Sequence, residues 1–461
     1  MAKDKLTDYS TVNASNTDVG GVNTDEGMLP SAVNNAIREV MTHLKNFAAG
    51  TDGIDVLSLA DDTATNAMKI QAPASVTADT TLTLPDGDGA ENQTLVTDGS
   101  GTLSWADLYY GGQNLVINGD MRVWQRGTTI DSIASGEYFC DRWRFGHNGT
   151  DGNVDVDRST DVPSGQGFAY SQKISMDASE ASLDADDNVV VATRFEGQDL
   201  QHLLKGTSYA KSITLSFWVK SSVAATYTVN IYDNDNSRQI SATYVISTAN
   251  TWEYKTITFA GDTTGALDND NARSIDLGFW LDAGSNWSDG TFATSWQSYI
   301  KNNRFYGTTG WLQSVSPEFY LTGVKLEVGT TATPFQHESY AETLRKCQRY
   351  YIRYPDVDDA SATMYYTQGM IYGTTVIYYT LTLPVPMREQ PDLTISNAAH
   401  FQSVDSGTIR NLTNLTLLGD AFIDNKVVSL QGTGAGMTAH RPSILRGDGT
   451  AGNYFAFDAE L

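Results

Sequence analysis

Aromatic rings set among short polar side chains are the part of this sequence best equipped to do chemistry. Between residues 280 and 311, Trp280, Trp287, Trp296, Tyr299, Tyr306 and Trp311 fall among Asp282, Asn286, Asp289, Gln297 and Asn302. A sugar ring offers C–H faces that stack on aromatic rings, and its hydroxyls need short, directed polar partners. This mixture supplies both, so Trp280, Asn286, Trp287, Asp289, Trp296, Tyr299 and Trp311 are the candidate ligand-binding residues. Core packing must claim some of these rings. Trp280 follows Phe279 in a strand-like segment and is divided between core and surface, whereas Trp287, flanked by Asn286 and Ser288, is the ring expected in the open.

Calcium is the one metal whose donors are present. Asp151, Asp155 and Asp157 cluster near Gly149 and Gly152, and Asp184, Asp186, Asp187 and Asn188 form a second acidic loop. A hard cation needs several converging oxygens, which such loops can offer; neither matches the twelve-residue loop with a terminal glutamate. Solvated loops are the alternative. Catalysis has weaker support. The six histidines are scattered without metal-ligand spacing, and no nucleophile elbow, phosphate loop or zinc motif occurs. Paired carboxylates for glycoside hydrolysis are set by folding rather than by spacing, so a depolymerase stays open as an alternative. Arg126, Asp141 and Arg142 read as a structural charge network beneath Trp124 and Trp143, or as a ligand contact if Arg142 faces a groove.

The chain has 30 basic and 55 acidic residues among 461, a net charge of -25. Such a field repels nucleic acid and anionic membranes unless a local basic patch overrides it. Cys140 and Cys347 are the two cysteines, too few for a disulfide framework. Cys140, in an aromatic run, reads as a buried free thiol. Residues 1–30 lack the apolar core of a signal peptide, and no stretch is apolar and long enough to span a bilayer. Synthesis in the cytoplasm of the producing cell is therefore expected.

Mainly β-structure must position these residues. Ile213 to Lys220, Tyr227 to Tyr232 and Trp252 to Phe259 alternate with period two, as strands do when one face meets a core and the other meets water. Residues 113–337 are expected to form one jelly-roll sandwich, with 338–352 a helical linker that turns Leu344 and Cys347 inward. Residues 353–461 alternate again around Pro384, Pro386 and Pro391 and predict a small C-terminal β-sandwich tip domain. Upstream, Val33, Ile37, Val40, Leu44 and Phe47 recur at spacings of four and three inside 29–50, the seam of a short coiled-coil helix. Docking of that stripe on its own domain is the alternative. The short strands of 51–112 cannot bury their apolar residues in one chain and predict an intertwined β shaft. Together these features predict a homotrimer, although dimeric coiled coils use the same stripe. Residues 1–28 read as an extended leader suited to docking on another protein.

The run Asn114-Leu115-Val116-Ile117-Asn118-Gly119-Asp120-Met121-Arg122-Val123-Trp124-Gln125-Arg126-Gly127, followed by Asp141-Arg142-Trp143, resembles the opening of a jelly-roll, carbohydrate-binding-like domain of bacteriophage tail fibres. Leu321 to Gly329 and Ala332-Thr333-Pro334-Phe335 resemble its close. Ser339 to Tyr351 is similar to the linker that follows, and Thr97 to Trp105 to fibre shafts. The Arg388-containing proline stretch and Phe457-Asp458-Ala459-Glu460-Leu461 look like fibre tips. This resemblance implies a phage tail fibre, resident in the virion, that attaches to a host cell-surface glycan without cleaving it. It also implies virion tail or adaptor proteins as partners of the N-terminus, a host polysaccharide as ligand, and no membrane insertion. A structural calcium is sometimes present in the resembled domains, which adds Glu327, in the closing motif, to the candidate metal residues as a ligand or core-pinning group. A virion adaptor or capsid decoration protein is the non-binding alternative.

Overall fold

The computed structural model describes residues 8–10, 15–25, 27–48, 56–60, 67–71, 81–89, 93–97, 99–107, 113–149, 152–355, 364–418 and 425–461. The chain divides into two units, Met1–Ala90 with Leu95–Ala106, and Glu91–Thr94 with Asp107–Leu461. In the first, helix α1 spans Pro30–Ala48. Pro30 suits the opening turn, where its missing N–H has no partner to lose. A hairpin of Asp18–Val19 and Val22–Asn23 packs on this helix. It buries Val19 and Ala36, and the Tyr9 hydroxyl meets His43 Nδ1 at 2.7 Å. The seam residues Val33, Ile37, Leu44 and Phe47 stay between 43 and 54% exposed. Among the described residues, the expected shaft is two separate two-stranded sheets, Val56–Ala60 with Ala67–Gln71 and Gln93–Thr97 with Leu103–Asp107. These elements show neither coiled-coil nor shaft geometry.

The second unit begins with a β-sandwich of twelve strands. Sheet I holds Thr129–Ile130 (β1), Val154–Ser159 (β3), Ser171–Met176 (β4), Ile213–Ser221 (β6), Glu253–Phe259 (β9) and Glu318–Val328 (β12), in the order β9-β6-β12-β4-β3-β1. Sheet II holds Trp143–Asn148 (β2), Asn188–Glu196 (β5), Thr226–Asp233 (β7), Arg238–Val245 (β8), Arg273–Ala283 (β10) and Gln297–Ser298 (β11), in the order β11-β8-β7-β10-β5-β2. The chain crosses repeatedly between the sheets, the connectivity of a jelly roll. Alternation decides which side chains enter. Leu215, Phe217 and Val219 of β6 and Tyr227, Val229 and Ile231 of β7 point into one continuous core. Ring contacts cross it: Phe217 meets Phe279 at 5.0 Å and Tyr227 meets Phe319 at 5.8 Å between centroids. Each such fully buried side chain contributes roughly 1.5–3 kcal/mol.

In a turn such as Asn118-Gly119-Asp120, glycine is the usual holder of a positive φ. Asn118, not the glycine, holds the left-handed backbone, with φ at 58°. Its amide accepts from the Arg122 and Val123 backbone N–H groups and donates to the Val123 and Asp141 carbonyls, all at 3.0 Å. Gly119 is required by proximity, because a Cβ there would sit 2.1 Å from the Val324 carbonyl oxygen.

After the sandwich, helix α3 covers Tyr340–Gln348, and a one-turn helix α2 covers Ser285–Ser288 within the sandwich. Ser339 caps α3 by accepting from the Glu342 N–H at 3.2 Å, half of a Ser-x-x-Glu capping box. Cys347 is buried as expected, whereas Leu344 is only partly covered. The last region corrects the expected second sandwich. Tyr365–Ile371 (β14), Val376–Thr382 (β15), Phe401–Asp405 (β17), Thr408–Leu417 (β18), Val427–Gly434 (β19) and Pro442–Gly447 (β20) close into a six-stranded barrel. Tyr351–Tyr354 (β13), Asp392–Ile395 (β16) and Phe455–Asp458 (β21) form a separate sheet in the order β13-β21-β16. Pairing of β14 with β20, for example Gly369 with Ser443, completes the closure and removes both edges. On its other side Gly369 lets β14 lie close to β15, since a Cβ would lie 2.2 Å from the Tyr378 carbonyl oxygen.

Charge joins the barrel region to the sandwich. Arg142 is 1% exposed, so the structural reading of Arg126, Asp141 and Arg142 replaces the ligand contact. Arg142 pairs with Glu460, donates to the Arg194 carbonyl at 2.6 Å and lies 3.4 Å from the Tyr350 ring centroid. Arg126 pairs with Asp458 at 3.0 Å and Glu460 at 3.5 Å. Burial pushes the Asp141 carboxyl up to about 6 against the nearby Arg126 and the bonds from Gln125. Glu196, buried at the end of β5, accepts from Arg349 Nε and Nη2, each at 2.7 Å, and from the Tyr350 hydroxyl at 2.5 Å. Burial raises its pKa, but these donors outweigh burial and hold it below the usual carboxylate value.

A depressed folded-state pKa gives stability that is present above the unfolded carboxylate value and lost as pH falls through the folded one. Glu196→Gln is therefore expected to lower stability by about 3 kcal/mol at neutral pH. Chemical denaturation across a pH series should show the difference from wild type closing on acidification.

Candidate functional site

The rings of residues 280–311 do not form one platform. Trp311 is 0% exposed and belongs to the sandwich core. Trp280 is 2% exposed. It lies on the outer side of sheet II, in register with Thr228 of β7, and is covered by Phe305 and Trp287. Burial removes both from the set of stacking surfaces. Trp287, expected in the open, is half-buried on α2. Its ring centroid lies 5.1 Å from that of Trp280, and its Nε1 donates to the Asp186 carbonyl at 3.1 Å. The Lys301 ammonium sits 4.3 Å from the Trp287 centroid and pairs with Asp186 at 2.6 Å. A sugar stacking there must displace that lysine. Asn286 and Asp289 are exposed beside this ring. Tyr299, 37% exposed, makes an edge contact with Tyr232 and faces Arg304.

Trp296, half-buried like Trp287, packs with one side against the sandwich core and borders a cleft with the other. It precedes β11, which is held to β8 by the Arg238–Ser298 and Gln239–Gln297 pairs at the edge of sheet II. Strand β9 is the edge of sheet I. Between the two edges opens a cleft of about 460 Å³ whose walls include Trp296, Thr258, Thr294, Ser241, Arg238 and Asp262. The indole is fixed by Nε1 donating to the Ala260 carbonyl at 2.8 Å, with the Lys205 ammonium 5.2 Å from its centroid. Arg238 grips Asp262 through Nε at 2.7 Å and Nη2 at 2.9 Å, and Lys205 reaches Asp262 at 3.1 Å and Asp233 at 2.5 Å. Burial would raise the Asp262 pKa, yet Arg238 and Lys205 more than offset it and hold the carboxyl below its usual value. Asp262 is thus a charged acceptor without a proton to donate, unsuited to general acid work at neutral pH.

Lys205, Arg238 and Asp262 were not among the candidates read from the sequence. They come from the loop after a 3-10 helix at Gly197–Leu203, the start of β8 and the loop after β9, and only the fold unites them. The metal candidates do not converge. Asp151 lies outside the described residues. Asp155 accepts from the Ser132 N–H at 2.8 Å on β3, and Asp157 is two residues further along the same strand. Glu327 is 1% exposed and spends its oxygens on the Thr333 N–H at 2.8 Å, the Thr333 hydroxyl at 2.6 Å and Lys325 at 3.3 Å. It pins the segment after β12 rather than pointing at a cation. Among the described residues no group of three or more His, Cys, Asp or Glu is placed to hold a metal ion.

No family model and no curated protein matches the chain. Solved structures with some similarity include the enzymatically active domain of tailspike protein 4 of bacteriophage CBA120, at 14% identity over 47% of this chain and 21% of that one, with a TM-score of 0.26. The chain thus spans about a fifth of that protein's length. TmCBM61 in complex with β-1,4-galactotriose is 9% identical over 47% of this chain and 100% of its own, with a TM-score of 0.25. A family 11 carbohydrate-binding module of Clostridium thermocellum is 13% identical over 44% of this chain and 99% of its own, with a TM-score of 0.24. No conclusion about this chain rests on likenesses this low.

Because Glu327 is satisfied by protein donors, chelation with EDTA is expected to leave the melting temperature unchanged, and added calcium not to raise it. Differential scanning calorimetry reads both; a drop of several degrees on chelation would put a cation back in the structure.

Proposed function

We propose that this chain is a non-enzymatic attachment protein of a phage virion, of tail-fibre type, which binds a neutral glycan of the host surface through its sandwich. The observation that carries the proposal is the cleft at Trp296, where one anchored indole stands among threonine and serine hydroxyls and a bidentate Arg238–Asp262 pair. An aromatic face with a few convergent polar groups is what a sugar ring requires. The virion assignment is supported by the resemblance of residues 114–127, 141–143 and 321–335 to phage fibre domains. Against a depolymerase stands the state of Asp262, which is held ionised by two cations, whereas glycoside hydrolysis needs a protonated carboxyl opposite a second carboxylate.

Association of three copies through α1 belongs to the same proposal. In the heptad frame of the seam Val33 and Val40 take d positions and Ile37 and Leu44 take a positions. β-Branched residues at d favour three or more strands over two. Three linked copies would multiply a weak single-site contact. Residues 1–28 would then serve for virion attachment and residues 353–461 as the tip.

Two outcomes are expected. On an array of neutral and acidic glycans, binding by the full chain should favour neutral chains, and Trp296→Ala should weaken it about tenfold without shortening any polysaccharide. Light scattering should give a trimer mass for wild type and a monomer for Ile37→Asp with Leu44→Asp. Released oligosaccharide products would replace this reading with a depolymerase, and silence toward every glycan would favour a virion adaptor.

A further inference from the structure

The outer side of sheet I carries a second set of rings that the 280–311 region does not include. On β9 the side chains at 254, 256 and 258 share one face, since successive residues of a strand point to opposite sides. Trp252, just before the strand, lies on that face too, because it meets Tyr320 of β12 at 6.2 Å and the Lys220 ammonium of β6 at 5.6 Å. Tyr254 is 44% exposed and pairs in register with Trp218, the two centroids 5.3 Å apart. Thr256 and Thr258 follow, both exposed, and Thr258 is part of the wall of the Trp296 cleft. The rings therefore lie in line with the cleft along the edge strand. At the rise of a strand, the distance from position 252 to 258 is about 20 Å.

Electrostatics along this line narrows the ligand. Lys220 is paired with Asp161, which also accepts from Trp252 Nε1 at 2.9 Å. Lys173, opposite Tyr320 on the same face of sheet I, is paired with Glu318 at 2.7 Å. Each of these cations is already balanced by a carboxylate, in a chain of net charge -25. An anionic polymer would meet repulsion without gaining a partner.

We infer that the Trp296 cleft and the Trp252–Thr258 face form one track for the internal stretch of a linear, neutral polysaccharide, rather than a pocket for a single terminal sugar. The inference rests on the glycan-binding reading of the cleft and extends it by assigning the length and charge of the ligand. Tyr254 and Trp252 stack the far part of the chain, Thr256 leaves room for it to pass, and Trp296 stacks the part in the cleft.

The test uses the full chain against immobilised linear glucan, galactan and mannan and purified host-envelope polysaccharides. The polymer that retains the protein is then cut into a size ladder for calorimetric titration. Affinity should rise with chain length up to an oligosaccharide that fills the track. Tyr254→Ala and Trp252→Ala should each weaken the longest member about tenfold while changing the disaccharide less than twofold, and Trp296→Ala should weaken both. Thr256→Glu, an exposed position where folding is not at stake, should block the long ligand and spare the short one. Length-independent affinity, or long-chain binding that ignores Tyr254→Ala and Thr256→Glu, overturns the track while leaving the cleft intact. Failure of every polymer to retain the protein overturns both.

Discussion

Buried arginines at the sandwich–barrel junction are the constraint on which the larger unit depends. Arg142 and Arg126 are held inside by the same carboxylate, Glu460, and Arg142 also lies on the Tyr350 ring. A desolvated guanidinium without its partner is far more costly than one left in water, so each member commits the others. Arg388 adds to this by donating to the Ala459 carbonyl at 2.8 Å and the Asn271 carbonyl at 3.1 Å, which ties the segment before β16 to a sandwich loop. Glu196 does the same from the other direction by holding Arg349 and Tyr350. Sandwich, α3 and the β13-β21-β16 sheet are consequently one charge-locked body. The loops and sheet edges away from the junction stay outside this network.

Those edges are also where the electrostatics is most conservative. Around the Trp296 cleft and on the outer face of sheet I, acids balance the nearby cations, as Asp262 and Asp233 do Arg238 and Lys205, Asp161 does Lys220, and Glu318 does Lys173. Close pairs of this kind offer hydrogen-bond donors and acceptors without a net local charge. On the proposed reading, such a surface would serve hydroxyls and aliphatic ring faces and give little to phosphate or carboxylate. The acidic field of the whole chain acts in the same sense, and it suits a partner that is uncharged.

Much of this fold is legible in the sequence because alternation is a local property. Leu215, Phe217 and Val219 announce the inner face of β6, and Trp218 its outer face, without knowledge of any other strand. What is not legible depends on pieces far apart in the chain. Trp280 alternates outward with Asp276 and Gly278, yet Trp287 and Phe305 fold back over it, and no period in the sequence reports a loop that covers a sheet. The C-terminal strands alternate as a sandwich would; closure into a barrel follows only from β14 meeting β20. Identification of β9 as an edge strand has the same origin, which is why its outward row of Trp252, Tyr254, Thr256 and Thr258 reads from sequence as one more strand. Arg126 and Arg142 could be recognised as a charge network, but Glu460, more than three hundred positions away, could not be named as their partner.

The central claim is that a neutral glycan lies against the edge of the sandwich. Amide hydrogen exchange of the full chain, measured with and without a retained polysaccharide, addresses it without any substitution. The account predicts slowed exchange in residues 253–264 and 294–298, with the barrel strands unchanged. Protection confined to the barrel, or absent from β9 and the Trp296 segment while the polysaccharide is bound, would contradict it.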